Sequence, residues 1–122
     1  MKKNNPFSLK ERSKSFKYAF EGIATFFRQE HNARIHLAAT IAVIGLSIIF
    51  PVSRIEAIAL TFAVGFVWVA EIFNTAIEKT MDFISTELNP KIKTIKDLSA
   101  AAVLIAALIA VITGCLVFIP KL

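Results

Sequence analysis

The chain has a single cysteine, Cys115, so it forms no intramolecular disulfide and no cysteine-based metal cluster. Its four glycines, Gly22, Gly45, Gly65 and Gly114, are isolated from one another. That excludes the glycine-rich Walker A loop that cradles nucleotide phosphates in soluble P-loop enzymes. No Gly- or Ser-rich linker and no convincing internal repeat divides the chain, so its length reads as one domain, 1–122. Met1-Lys2-Lys3 is followed by polar residues rather than an apolar core, which is not the pattern of a signal peptide. Acidic residues are also scarce, 9 against 14 basic ones, for a net charge of +5. Such an excess suits nucleic acid or an anionic membrane surface. Most of these cations flank long apolar segments, so the membrane is the expected partner and nucleic acid is not.

What the chain does have is apolar sequence in blocks. Hydrophobic residues make up 56% of it, more than an ordinary soluble domain carries in such long runs. Between Arg34 and Arg54 lie 19 residues with no formal charge if His36 is neutral. This is close to the length that crosses a bilayer. Phe50-Pro51-Val52-Ser53 then supplies a turn, because Pro51 ends a helix. A second run starts near Ala57 and continues past Trp68 and Ala70 into a polar stripe, and Asn89-Pro90 marks a break after it. A third run, Leu98 to Pro120, has 23 uncharged residues. Along it Ala102, Ala106, Ala110 and Gly114 recur every four residues, a small-residue stripe that lets helix backbones approach closely.

Upstream of these runs, residues 1–7 read as a short basic tail without fixed structure. Ser8-Leu9-Lys10-Glu11 matches a capping box, with Ser8 as N-cap. Phe16, Phe20, Ile23 and Phe27 follow on one helical face, with Lys10, Lys14, Lys17, Glu21 and Arg28 mostly off it. This predicts an amphipathic surface helix lying in the headgroup plane. The expected fold is therefore an all-α membrane protein. A surface helix over about 8–29 precedes transmembrane helices over about 33–50, 55–84 and 97–118.

Eight cations lie at or before Arg34, and Lys79, Lys91, Lys93 and Lys96 surround the loop between the second and third crossings, whereas only Arg54 and Lys121 fall on the other side. The excess of positive charge on cytoplasmic loops then predicts a multi-pass membrane protein with its N-terminus in the cytoplasm.

Glu71, Asn74, Glu78 and Asp82 sit at i, i+3, i+7 and i+11, one narrow polar stripe on a helix, directly after the uncharged stretch Ala57–Ala70. A crossing that starts near residue 57 reaches the far interface near residue 76, at about 1.5 Å per residue. Glu71 is then expected just inside the hydrocarbon edge, with Glu78 and Asp82 at headgroup level. Carboxylates carried into a membrane edge are costly and point to function. The same cytoplasmic edge collects Glu30, Arg34, His36, Lys96 and Asp97. Carboxylates and an amide oxygen are the hard ligands that Mg²⁺ takes together with substrate phosphates, and a carboxylate at the lipid boundary suits a general base. Residue types and spacing alone lead only to a metal- or proton-handling site facing the cytoplasm.

The segment Glu71-Ile72-Phe73-Asn74-Thr75-Ala76-Ile77-Glu78, with Asp82 and the later Lys96-Asp97, resembles the bacterial integral-membrane diacylglycerol kinase family, which includes the undecaprenol kinases. Lys17-Tyr18-Ala19-Phe20-Glu21-Gly22 and Phe27-Arg28-Gln29-Glu30-His31-Asn32-Ala33-Arg34 resemble its surface-helix segment, and Ala101-Ala102-Val103-Leu104-Ile105-Ala106 its third crossing. The similarity runs from about residue 10 to 118 with the motifs in order.

This resemblance implies an ATP- and Mg²⁺-dependent kinase of the bacterial cytoplasmic (inner) membrane acting on a lipid hydroxyl, a homotrimer with sites between subunits. It implies Glu71 as the catalytic base, Glu30 and Glu78 as metal ligands, and Asn74, Asp82, Lys96, Asp97 and Tyr18 at the nucleotide. Arg34 stands with Glu71 as a candidate substrate contact. His36 is not carried over and reads as a neutral interfacial histidine. Two positions depart from the diacylglycerol kinases. Their N-terminal arginine falls on Glu11, beside Arg12, and a serine after the Lys-Asp pair falls on Ala100, beside Ser99. Lipid choice is the property these departures bear on, and Glu30–Leu37 has the character of the undecaprenol kinase branch. The alternative is a small proton- or ion-handling membrane transporter subunit. A relay of that kind would spread its carboxylates through the membrane depth, whereas these cluster at one edge.

Overall fold

The computed structural model of the chain describes residues 6–122, so most of the basic tail expected at the N-terminus, residues 1–5, lies outside the described residues. Four α-helices follow in order: α1 (Leu9–Gln29), α2 (His31–Ile49), α3 (Arg54–Ile84) and α4 (Pro90–Phe118). A short 3₁₀ turn, Ile119–Lys121, ends the chain, and no strand occurs among the described residues. Helices α2, α3 and α4 are each long and apolar enough to cross a membrane.

The helix ends have local causes. The Ser8 side chain accepts from the Glu11 backbone N–H and starts α1. At Ser53 both halves of a capping box form: the Glu56 N–H donates to Ser53 Oγ at 3.1 Å, and the Ser53 N–H donates to Glu56 Oε1 at 2.8 Å. Helix α4 opens about two turns ahead of its uncharged run, because Asn89 caps it through the Lys91 N–H and Pro90 stands at the first helical position. A proline there loses no intrahelical bond. The Asn89-Pro90 pair, which reads as a break, thus serves as a start.

Helices α3 and α4 run antiparallel in close contact. Asp82 pairs with Lys96 at one end, and at the other Leu60 packs with Val117 and Phe118 while Lys121 Nζ reaches Glu56 at 3.1 Å. Ala106, fully buried, lets the two backbones meet midway. The small-residue stripe is thus partly used inside the chain. Ala110 and Gly114 instead face a groove, and a Cβ at Gly114 would meet nothing within 4 Å.

Helix α2 lies along α3 but leaves a gap toward α4. The gap is an apolar groove of about 570 Å³, with Val43 and Leu46 of α2, Val67 and Trp68 of α3, and Val111 of α4 among its walls. Helix α1 is joined to the bundle at its C-terminal end, where the rings of Phe26 and Phe27 stand 6.1 and 5.4 Å from that of Trp68. Phe26 is buried, while Phe16, Phe20 and Ile23 face outward. The contact with the bundle is therefore made from the margin of the aromatic face of α1, and most of that face stays open.

Candidate active site

The buried face of α3 is Leu60, Ala63, Val67, Glu71 and Thr75, at steps of three and four residues. The polar stripe continues the packing face rather than sitting beside it. Glu71 is only 3% exposed and is the one buried carboxylate among the described residues. Its side-chain partner is His36 on α2, whose Nε2 lies 2.8 Å from Glu71 Oε1. That pair is braced from α3 itself: Trp68 Nε1 donates to Thr40 Oγ1 at 2.9 Å, and Thr40 Oγ1 donates to the His36 carbonyl at 2.7 Å.

One turn on, Asn74 accepts a hydrogen bond from Ser99 Oγ of α4. Further along, Lys96 of α4 pairs with Asp82 of α3, and Asp97 pairs with Lys93 one turn back on its own helix. Lys79 Nζ reaches from α3 to the junction of α1 and α2, 2.7 Å from Gln29 Oε1 and 4.0 Å from Glu30 Oε1. That contact sets Glu30 against α3 at the level of the residue after Glu78. Among the described residues Glu78 makes no hydrogen bond or ion pair, and both it and Glu30 are partly exposed.

Helices α2, α3 and α4 and the end of α1 therefore gather Glu71, Asn74, Asp82, Lys96 and Glu30 along one end of the bundle. Two expected residues stand apart within a single chain. Tyr18 is 62% exposed on α1, and Arg34 is exposed; neither has a polar partner among the described residues. Two residues not assigned a role from sequence enter through contacts: His36, and Ser99, which is buried against Asn74. The signal for Ser99 was close, since the expected serine fell one position away on Ala100. His36 falls in the polar set at the cytoplasmic edge, but its link to Glu71 depends on the register between α2 and α3.

No cluster of three or more His, Cys, Asp or Glu side chains is placed to hold a metal among the described residues. The donors present are Glu30 and Glu78, one from the α1–α2 junction and one from α3. Two carboxylates open to solvent fit the way Mg²⁺ is held by one or two protein oxygens plus substrate phosphates, rather than in an all-protein cage.

The profile of the family described as prokaryotic diacylglycerol kinase matches residues 17–118. The chain belongs to this family. Its members differ in the lipid their names carry. An undecaprenol kinase from Bacillus subtilis (strain 168) is 39% identical over 109 residues, covering 89% of this chain and 89% of that one. A diacylglycerol kinase from Synechocystis sp. is 34% identical over 109 residues, 88% of this chain and 62% of its own length. The diacylglycerol kinase of Escherichia coli (strain K12) is 31% identical over 113 residues, covering 93% of both chains. The match runs from within α1 through all three long apolar helices, so the family's span contains every element that builds the site.

Proposed function

We propose that this chain is a lipid kinase that transfers the γ-phosphoryl group of ATP to the hydroxyl of a membrane lipid, undecaprenol or diacylglycerol. The observation that carries the reading is Glu71: a carboxylate buried on the packing face of a membrane-length helix, with Asn74 and Glu78 following it toward the polar end. Burial of a carboxylate is costly, and a base within reach of lipid is a use that repays the cost.

In this reading Glu71 takes the proton of the lipid hydroxyl as that oxygen bonds to the γ-phosphorus and the bond to the departing ADP oxygen breaks. The lipid chain occupies the apolar groove between α2 and α4, which His36 also lines. Glu30 and Glu78 hold Mg²⁺, which supplies neutralisation of phosphate charge when bound. Phosphoryl transfer depends mainly on such positioning and neutralisation. Asn74, Asp82, Lys96, Asp97 and Tyr18 bind the nucleotide, and Arg34 contacts substrate. Glu71 and Glu78 are roughly 10 Å apart along the helix by rise per residue, which suits one at the acceptor and the other at the donor. Tyr18 and Arg34, exposed within one chain, meet the site where subunits of a homotrimer join. The N-terminus and the site lie on the cytoplasmic side, where ATP is, with α1 along the membrane surface.

The test is ATP-dependent incorporation of phosphate into a lipid extract by purified wild-type protein and by Glu71→Gln. Activity in the wild type and its loss in the variant support the reading. Equal activity in both removes Glu71 from the chemistry, and no phosphorylation of any lipid removes the kinase. ATP-independent ion flux in proteoliposomes would favour a transporter instead.

A further inference from the structure

A base that is almost wholly buried has to present one particular oxygen to its substrate, and the surroundings of Glu71 show how that oxygen is chosen. Oε1 is 2.8 Å from His36 Nε2, and among the described residues Oε2 has no partner. The imidazole is itself held in place. Its ring stands edge-on to Trp68, with centroids 6.3 Å apart and planes at 62°. Its own helical turn is tied by Thr40 to the Trp68 indole, and Trp68 is flanked by Phe26 and Phe27 of α1. Among the described residues no other charged group pairs with the carboxylate. Helix α4 presents the neutral Ser99 one turn away on Asn74, α1 presents aromatic rings, and Arg34 is exposed without a polar partner among the described residues. His36 also lines the apolar groove, so its bond to Glu71 borders the space that the proposed function gives to the lipid.

We propose that His36 is a positioning residue for phosphoryl transfer. Its Nε2–H donates to Glu71 Oε1 and turns Oε2 toward the acceptor hydroxyl. An imidazole carrying hydrogen on Nε2 is a fixed, directional donor, and a small misplacement of a reacting group is enough to cost about 100-fold in rate. The inference rests on the reading of Glu71 as the base.

The experiment compares two substitutions in the full chain in detergent micelles or nanodiscs, at saturating lipid and varied ATP. His36→Gln keeps an N–H donor at the reach of Nε2. His36→Met keeps length and apolar bulk but has no donor. The expected result for His36→Met is a fall in kcat of about 10- to 100-fold with KM for ATP nearly unchanged, since the lost contact orients a base rather than binding nucleotide. His36→Gln recovers most of the rate. Wild-type kcat in His36→Met overturns the proposal. So does an equal loss in both variants, which would make His36 a packing residue.

Should His36→Met fail to fold, the test passes to His36→Gln against His36→Asn, whose amide nitrogen reaches the position of Nδ1 instead. Activity with glutamine and loss with asparagine supports the proposal, and equal behaviour overturns it. Glu71→Gln run in parallel separates the two levels. An inactive Glu71→Gln beside an unaffected His36→Met removes only the role of His36, whereas a fully active Glu71→Gln removes the base and His36's role with it.

Discussion

The two halves of one face of α3 make an instructive contrast. Leu60, Ala63 and Val67 are buried, and Leu60 forms with Val117 and Phe118 a cluster against which Val43 and Phe50 pack. Glu71 and Thr75 continue the same face and are equally buried, yet the contacts made at this end by Glu71 and its neighbour Asn74 are hydrogen bonds, to His36 of α2 and Ser99 of α4. The geometry of helix packing is the same in both halves, and only the side-chain chemistry changes. Where the partners are apolar, lipid outside is as good a solvent as the interior, so packing complementarity does the holding. Where they are polar, each group inside has to find a partner or leave an unsatisfied atom in a dry place. Among the described residues every fully enclosed side-chain polar atom has a partner, and Glu71 Oε2, which has none, is not fully enclosed. A packing face has thus been converted at one end into a set of oriented polar groups without any break in the helix.

The contrast makes predictions that separate activity from stability. The largest effect belongs to Glu71→Gln, which keeps shape and hydrogen-bonding capacity but cannot accept a proton as a base. It is expected to lower kcat by about 10²- to 10⁴-fold, the range general-base catalysis contributes, with little change in unfolding. Glu78→Gln comes next. Weakening one of two metal-holding carboxylates should raise the Mg²⁺ and ATP concentrations needed for half-maximal rate by about tenfold or more, read from kinetics at varied Mg²⁺. At the apolar end, Leu60→Ala should destabilise the fold by about 2 kcal/mol, the low end for leucine truncation, because lipid rather than water is the reference solvent. Its activity per folded molecule should stay at wild type. The smallest stability effect is expected for Lys96→Ala, since its pair with Asp82 is well exposed and such pairs contribute less than about 1 kcal/mol. A raised KM for ATP with unchanged unfolding would mark Lys96 as a nucleotide contact, and an unchanged KM would remove it from that set.

Much of this was legible in the sequence for reasons that are local. The stripe from Glu71 to Asp82 follows from helical periodicity, the turn at Phe50–Ser53 from proline, and the start of α1 from the Ser8–Glu11 pattern. The early start of α4 was present in Asn89-Pro90 and is a matter of reading the proline as a first helical residue rather than as a break. The capping box at Ser53 and Glu56 carried the same signal as the one at Ser8. What could not be read locally were the contacts set by register between helices. His36 and Glu71 are 35 residues apart in sequence, and Ser99 and Asn74 are 25 apart. Periodicity assigns each to a face but does not say which turns of two helices face each other. The same limit applies to Phe26, which sits at the margin of the aromatic face of α1 and is nevertheless its buried anchor.

The central claim is that one helix face divides into a chemical half and a packing half. The measurement that tests it most directly is a paired one on the same preparations of wild type, Glu71→Gln and Leu60→Ala: ATP-dependent phosphorylation of undecaprenol and diacylglycerol side by side, together with the thermal unfolding midpoint. The account predicts that Glu71→Gln loses phosphorylation of whichever lipid the wild type uses while keeping its midpoint, and that Leu60→Ala loses midpoint while each folded molecule keeps its activity. Full phosphorylation by Glu71→Gln, or a fall in midpoint as large as that of Leu60→Ala together with retained turnover, would contradict it.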